Sequence, residues 1–320
     1  FLKLINEFID ISCMSLSSDV LTYIPPLYKF SSPYFSYKFF LTSSEKKSEF
    51  SNPITVGDIV EFTLIDDTEE GVISKIIERK NYVVRKSVNL SYKSQILASN
   101  IDYAFLIVTI KHPVTTLLFI DRYLVTTNAY KIPTILIFNK IDNYNEEDKL
   151  LENEYKKIYT KIGIKCISIS VLKNKNIKSV TKYLYNNTVL FSGHSGVGKS
   201  SLINLLSPNL NLKTKKISDK HKQGIHTTTF SEMLMLNDYN ASIIDSPGIK
   251  GFGLVDISKN NLASYFPEFK ELSHLCKFKD CLHVNEPKCK ILEQLSKEKI
   301  SKKRYLNYLN MLEESIGYRK

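Results

Sequence analysis

The sequence predicts a multidomain α/β protein with an N-terminal β-rich region, a central parallel sheet with helices on both faces, and a C-terminal helical module. The central region supports this most strongly. From about 98 to 258, apolar runs rich in β-branched residues alternate with longer polar segments, as in consecutive βαβ units. From about 259 the chain becomes polar, Lys-rich and helical in its pattern.

The N-terminal region, residues 1–97, predicts a small β-barrel or sheet. The runs TVGDIVEF, EEGVISKII and NYVVRKS alternate apolar and polar residues and are separated by turn signals. The first fifty residues show no comparable pattern. Their mixture of aromatic and Lys residues at 28–40 is interpreted as strand core rather than as a platform for stacked bases.

Composition and charge limit the classes of partner that the chain can have. The chain has 320 residues and a formal net charge of +11, which favours a polyanionic partner. No apolar run reaches the roughly 18 to 20 residues of a membrane helix, and the first residues include acidic ones where a signal peptide would be basic. We therefore expect a cytoplasmic protein with no membrane partner. Three of the five cysteines cluster beside a His, which is typical of a metal site in a reducing compartment.

The segment FSGHSGVGKSS matches the G-x-x-x-x-G-K-[ST] pattern of a phosphate loop. It follows a strand signal and precedes a helical one, so its backbone N–H groups can surround a polyphosphate at a helix N-terminus. Lys199 is expected to contact the β- and γ-phosphates, and Ser200 to bind Mg²⁺. In the downstream DSPG motif, Asp245 is expected to lie beside the Mg²⁺ ligands and Gly248 to sense the γ-phosphate. The predicted nucleotide contacts of the loop are Gly193, His194, Ser195, Gly196, Val197, Gly198, Lys199, Ser200 and Ser201.

A second motif selects the base. Asn139, Lys140, Ile141 and Asp142 spell NKID directly after the strand signal TILIF. The Asp142 carboxylate can accept hydrogen bonds from N1–H and the exocyclic amine of guanine, whereas adenine has no donor at N1. GTP is thereby favoured over ATP, which argues against a P-loop kinase or ATPase. Asn139 and Lys140 are expected to tether this loop to the phosphate loop and to cover the base.

The order of the motifs is unusual. In ordinary GTPases the phosphate loop comes first, but here NKID and the segment CISISV, residues 166–171, precede it. Because the cyclic order is preserved, the pattern indicates a circular permutation, which requires only that the old chain ends lie close together. Ser170 and Val171 then occupy the base-loop position, with their backbone facing guanine O6.

The C-terminal module contains a metal-ligand pattern. Cys276, Cys281, His283 and Cys289 give C-x₄-C-x-H-x₅-C. Three thiolates and one imidazole complete a tetrahedral Zn²⁺ site with no vacant position, which predicts a structural metal that supplies folding energy. The alternative is three buried free cysteines near a core His. His274 is interpreted as a surface residue rather than a ligand.

Together, GHSGVGKSS, HTTT at 226–229, DSPGIKGFGL and CKFKDCLHVNEPKC resemble the circularly permuted, small-ribosomal-subunit-dependent GTPases of the RsgA family, over about 52–315. The resemblance implies an OB-fold-like RNA-binding domain at 1–97, a permuted GTPase domain at 98–258 and a zinc-binding helical domain at 259–320. It also implies a late role in small-subunit assembly. The implied partners are GTP, GDP and the small ribosomal subunit with its rRNA; the implied cofactors are Mg²⁺ and one Zn²⁺ per chain. We expect a monomer.

The group that activates water differs from the Gln of Ras-type GTPases. Ile249 follows the DxxG glycine and has no hydrogen-bonding group to orient water, so intrinsic hydrolysis is expected to be slow. His226 is favoured over His194 as the replacement. With Lys199, the expected catalytic set includes Thr228 and Thr229, one of which would bind Mg²⁺. The Lys-rich segment 213–226 is interpreted as a loop that orders on RNA.

Two alternatives remain open. In the first, the ribosome itself supplies the missing catalytic group or fixes the water, without either His. Alternatively, the chain is a zinc-stabilised rRNA-binding adaptor that uses GTP only as a conformational switch.

Overall fold

The structure is a computed structural model, and it describes residues 9–10, 38–41, 54–64, 70–86, 94–210, 212, 232–245 and 257–317. The expectations for His226, Thr228, Thr229, Gly248 and the segment 213–226 lie outside these ranges, as do most residues of the stretch 28–40. The chain divides into two compact units. The first comprises 1–104, 180–192 and 200–251, and the second comprises 105–179, 193–199 and 252–320.

The N-terminal part of the first unit is β-sheet, as the alternating runs predict. One sheet has the order β1-β3-β4-β2, with β3 antiparallel to β4 and β2 parallel to it. A separate antiparallel pair follows. The strands are β1 (Ile9–Asp10), β2 (Lys38–Leu41), β3 (Ile59–Leu64), β4 (Glu70–Ile76), β5 (Tyr82–Lys86) and β6 (Ser94–Ser99).

A buried carboxylate connects β6 to the turn that precedes β3. Asp58 is fully buried and accepts hydrogen bonds from Thr55 N at 2.9 Å and Ser99 Oγ at 2.6 Å. Arg79 donates to both carboxylate oxygens at 2.7 Å, which compensates the buried charge. Gly57 adopts φ +89°, and a Cβ there would lie 2.2 Å from Ser99 O. The turn therefore requires glycine at this position.

The first unit also holds three strands of the central region, in the order β11-β12-β10. β10 is parallel to β12, with Phe191 opposite Asp245, and β11 is antiparallel to β12. Apolar residues of β10 and β12 are buried along nearly their whole length, as expected for parallel strands covered on both faces. The strands are β10 (Thr188–Ser192), β11 (Glu232–Leu236) and β12 (Ala241–Asp245).

The second unit contains most of β7 followed in order by β8 and β9, with β8 parallel to β9. Thr116 caps the first helix by accepting from Phe119 N, and Asn145 and Asp148 form a capping box on the next. The strands are β7 (Tyr103–Val108), β8 (Thr134–Phe138) and β9 (Lys165–Ser168); the helices of the central region are α1 (Leu117–Ala129), α2 (Glu146–Lys161), α3 (Lys178–Thr181) and α4 (Lys199–Leu206).

The C-terminal part is helical, as its sequence pattern predicts. Phe266 and Phe269 stack with ring centroids 5.1 Å apart, and Tyr308 packs edge-on against both. Val125 of α1 belongs to the same apolar cluster, so α1 forms part of this core. The helices are α5 (Lys259–Leu262), α6 (Pro267–Ser273), α7 (Lys290–Ser296) and α8 (Lys302–Gly317). None of the helices in the described ranges has both the length and the apolar character needed to cross a bilayer.

A buried charge network joins α1 to α8 inside the second unit. Arg304 is 1% exposed, forms an ion pair with Asp121 of α1, and donates from Nε to Glu268 at 2.6 Å. Asn307 Nδ2 and the Tyr159 hydroxyl donate to the two Asp121 oxygens at 2.6 and 3.0 Å. Burial raises the pKa of Asp121 to about 6, although Arg304 acts in the opposite direction. Arg304 is thus the cation that compensates two carboxylates.

We predict that Arg304→Met lowers the free energy of unfolding by about 3–5 kcal/mol, because it leaves the Asp121 charge buried without its cation. Since the folded-state pKa of Asp121 is already raised and would rise further, acidification neutralises the carboxylate and relieves the penalty. The loss of stability should therefore be smaller at pH 5 than at pH 8. Urea denaturation at both pH values measures it.

The matched control is Arg122→Met. Arg122 pairs with Glu314 at a site where the two side chains are 34% and 46% exposed, so its loss should cost less than about 1 kcal/mol. Equal losses of unfolding free energy in the two variants would show that the Arg304 network does not stabilise the contact between α1 and α8.

Candidate nucleotide site and metal centre

The predicted phosphate loop lies between β10 and α4. Gly193, Gly196 and Gly198 all have positive φ, at 146°, 84° and 103°. A Cβ on Gly193 would lie 2.4 Å from Ile107 O, and one on Gly198 would lie 2.3 Å from Asn139 Nδ2. The glycines therefore permit the backbone curvature and the close approach to neighbouring segments that a phosphate loop needs.

Asn139 connects the phosphate loop to the base loop. It follows β8 and is 2% exposed. Its side-chain Nδ2 donates to Val197 O at 2.8 Å, and its Oδ1 accepts from Val171 N at 3.2 Å. A single amide thus supplies a donor to one loop and an acceptor to the other, which an ionised carboxylate could not do because it has no donor.

Lys140 adds a second tether. It adopts the left-handed conformation with φ 67°, and its Nζ donates to Gly196 O and to His112 O, both at 2.6 Å. Partial burial lowers the pKa of Lys140, while Asp142 acts in the opposite direction. The ammonium group is therefore held between the phosphate loop and the loop that follows β7.

Asp142 is presented to solvent with one oxygen already oriented. It lies in a single 3₁₀ turn, Ile141–Asn143, and is exposed. The fully buried Ser170 donates its hydroxyl hydrogen to Asp142 Oδ1 and accepts from Lys173 N at 3.0 Å. A carboxylate can accept about four hydrogen bonds, so Asp142 retains acceptor capacity on its exposed side.

Two side chains of the phosphate loop are directed by neighbouring groups. Lys199 Nζ donates to Gly193 O at 2.7 Å and reaches His194 O at 3.4 Å, so the ammonium group lies against carbonyls of its own loop. The His194 ring packs on Phe119, with centroids 3.9 Å apart and an interplanar angle of 33°. Phe119 lies in the first turn of α1, so this imidazole faces α1.

The remaining predicted residues lie as follows. Ile141 N donates to Ile169 O at 3.4 Å, next to the base loop. Asp245 is the last residue of β12. Within the phosphate loop, Ser195 and Gly196 are exposed and Val197 is buried; Ser200 and Ser201 lie in the first turn of α4.

Sequence reasoning missed a contact beneath the NKID motif. Tyr144 is 7% exposed, and its hydroxyl accepts from Ile110 N at 3.1 Å and donates to Asn139 O at 2.9 Å. The sequence gives only a weak signal for this role, because an aromatic residue after a turn usually fills the core.

The four predicted metal ligands come together in the C-terminal part. Ligand atoms of Cys276, Cys281, His283 and Cys289 all lie within 4.8 Å of one another. His283 Nδ1 is 3.4 Å from Cys289 Sγ and 3.7 Å from Cys276 Sγ. The cluster could hold a metal ion, and His274 is not one of its members.

Surrounding groups orient these ligands. Ser273 Oγ lies 3.2 Å from His283 Nε2, which turns Nδ1 toward the thiols. Hydroxyls of α8 support the turn from outside: Tyr305 donates to His283 O at 2.8 Å and Tyr308 donates to Leu282 O at 2.7 Å. Burial raises the pKa of Cys281, so its thiol must lose a proton when a cation binds.

Known proteins resemble this chain over most of its length. A family profile described as RsgA GTPase matches residues 76–255. The chain is 54% identical over 267 residues to "Small ribosomal subunit biogenesis GTPase RsgA" of Flavobacterium psychrophilum, which covers 82% of this chain and 81% of the relative. The protein of the same name from Christiangramia forsetii is 50% identical over 273 residues, covering 84% of this chain and 86% of that one.

Solved structures agree. YjeQ from Thermotoga maritima matches with a TM-score of 0.71 at 31% identity, over 87% of this chain and 90% of that one. YloQ, titled a circularly permuted GTPase, matches with a TM-score of 0.65 at 27% identity, over 83% and 82%.

A phosphate loop that follows its base-recognition loops along the chain defines a circularly permuted P-loop GTPase, and the predicted fold class is confirmed. More narrowly, the chain belongs to the RsgA GTPase family.

Proposed function

We propose that this chain hydrolyses GTP to GDP and phosphate as a checkpoint in the late maturation of the small ribosomal subunit. The proposal that the chain hydrolyses GTP rests on the Asn139 side chain, which ties the phosphate loop to the base loop. The proposed role in ribosome maturation is supported by the names of the relatives, which describe small ribosomal subunit biogenesis GTPases. The proposed partners are GTP, GDP and the small subunit with its rRNA. We propose that the chain acts as a monomer in the cytoplasm.

Guanine recognition is assigned to Asp142. Its exposed carboxylate would accept from guanine N1–H and the exocyclic amine, while Ser170 keeps it oriented. The backbone of Ser170 and Val171 would face guanine O6. Adenine would present an acceptor at N1 opposite this carboxylate, which leaves a polar atom unmatched and disfavours ATP.

Phosphate binding is assigned to the loop backbone and Lys199. Its ammonium group now lies on loop carbonyls, and a polyphosphate would offer it a stronger, charged acceptor. Ser200 and one of Thr228 or Thr229 are the proposed Mg²⁺ ligands, with Asp245 and Gly248 near the γ-phosphate. When bound, Mg²⁺ would neutralise charge that develops on the phosphate oxygens.

We assign the activation of water to His226. The other candidate, His194, packs on Phe119 of α1 and is thereby engaged elsewhere. His226 is the last residue of the Lys-rich stretch 213–226, so RNA binding to these cations would position the imidazole and the neighbouring Thr residues together.

Phosphate release from GTP, measured with and without small ribosomal subunits, tests this proposal. We predict slow hydrolysis by the chain alone, strong stimulation by small subunits and none with ATP. His226→Ala should still bind GTP but lose most of the stimulation, whereas His194→Ala should keep it.

Two results would contradict the assignment. Turnover that small subunits leave unchanged would favour the rRNA-binding adaptor. Full stimulation of His226→Ala would mean that the ribosome supplies the catalytic group or fixes the water.

We further propose that the Cys₃His cluster holds one structural Zn²⁺ per chain. Three sulfur ligands and one imidazole match the preferred donors of tetrahedral zinc and leave no position for a substrate. The turn that carries His283 is closed by the Glu286 carboxylate, which accepts from Leu282 N at 2.6 Å and Val284 N at 2.8 Å. A closed site of this kind contributes folding energy.

Metal analysis of protein purified without chelator should find one zinc per chain, and Cys281→Ser should lose it together with thermal stability of the C-terminal helices. The matched control is Cys166→Ser, because Cys166 lies on β9 and is not a member of the cluster. Protein without zinc, or equal zinc in both variants, would contradict the proposal.

A further inference from the structure

The hydroxyl group of Tyr144 bridges two backbone segments next to the nucleotide site. It accepts a hydrogen bond from Ile110 N at 3.1 Å and donates one to Asn139 O at 2.9 Å. Ile110, Asn139 and Tyr144 are all buried, at 5%, 2% and 7% exposure. Loss of this hydroxyl would remove, in a poorly hydrated place, one partner of a backbone donor and one of a backbone acceptor.

Two further contacts hold the segment 139–148 against the loop that follows β7. Lys140 Nζ donates to His112 O at 2.6 Å, and Lys111 forms an ion pair with Asp148 of the α2 capping box. The Lys140 and Lys111 contacts involve half-exposed, flexible side chains. The Tyr144 contact uses a rigid, buried ring, so it constrains the position of the backbone most tightly.

The position of Asn139 matters because its side chain reaches both partner loops, at Val197 O and Val171 N. A shift of its backbone would move those two hydrogen bonds and, a few residues along the chain, the Asp142 carboxylate. Base recognition depends on that carboxylate meeting two donors at once, so small displacements matter.

We infer that Tyr144 is a positioning residue for guanine recognition, acting through the Asn139 backbone on the alignment of Asp142. This inference rests on the proposed function, since it requires that Asp142 binds guanine. The competing interpretation is that Tyr144 only fills the core, in which case its hydroxyl affects stability but not the choice of base.

The test compares Tyr144→Phe with the unmodified chain by titration calorimetry, using GDP and inosine diphosphate as ligands. Inosine diphosphate lacks the exocyclic amine, so the ratio of the two affinities reports how well Asp142 meets both donors. We expect Tyr144→Phe to weaken GDP binding about tenfold and inosine diphosphate binding much less, as a lost buried hydrogen-bond partner predicts.

Tyr159→Phe is the matched control. Tyr159 is fully buried in the same unit, and its hydroxyl donates to Asp121 Oδ1 at 3.0 Å, in the network with Arg304 rather than in the nucleotide loops. The same atom is deleted, so Tyr159→Phe should lower the melting temperature while leaving the GDP to inosine diphosphate ratio unchanged.

The outcomes separate this inference from the proposed function. If the unmodified chain does not prefer GDP over inosine diphosphate, the assignment of Asp142 itself fails. If it does, and Tyr144→Phe keeps the same ratio, Tyr144 has only a packing role and the inference is overturned.

Discussion

The proposed nucleotide site depends on the side-chain amide of Asn139. This residue is separated from Val197 by 58 positions and from Val171 by 32, yet it is hydrogen-bonded to both. Circular permutation moves the chain ends but not these contacts, which explains how motifs in an unusual order can still form one site. The surrounding residues serve the same constraint: Gly198 leaves room for the amide, and Tyr144 holds its backbone.

Helix α1 gives the second unit its continuity from the phosphate loop to the metal cluster. At its start, Phe119 packs on His194, and two residues further Asp121 pairs with Arg304 of α8. From α8, hydroxyls reach the turn that carries His283. Loss of either partner of the buried Asp121–Arg304 pair would destabilise the protein strongly, because the other partner would remain buried as an uncompensated charge. Helix α1 therefore contacts both the phosphate loop and the helix that supports the metal cluster.

The sequence predicted the parts of the site whose residues lie close together in the chain. NKID, the phosphate loop and the Cys/His cluster each depend on local spacing, and the structure brings their members together. Among contacts at long range, the sequence predicted the tether between Asn139 and the phosphate loop but not the pair of Asp121 and Arg304. The members of that pair are 183 positions apart, and each resembles an ordinary helix-surface charge. Strand β1 was missed for another reason, since a segment of 2 residues is too short to show a period. Strand β2, by contrast, overlaps the stretch 28–40, whose aromatic and Lys residues indicate strand core.

The proposed recognition of guanine by the two carboxylate oxygens of Asp142 is tested most directly by exchanging the base specificity. Xanthine keeps the N1–H donor of guanine but carries a carbonyl in place of the exocyclic amine. An Asn side chain offers one acceptor and one donor, which matches xanthine and mismatches guanine. Titration of Asp142→Asn with GDP and xanthosine diphosphate should therefore show a reversed preference, toward xanthosine diphosphate. A variant that still prefers GDP would contradict the account.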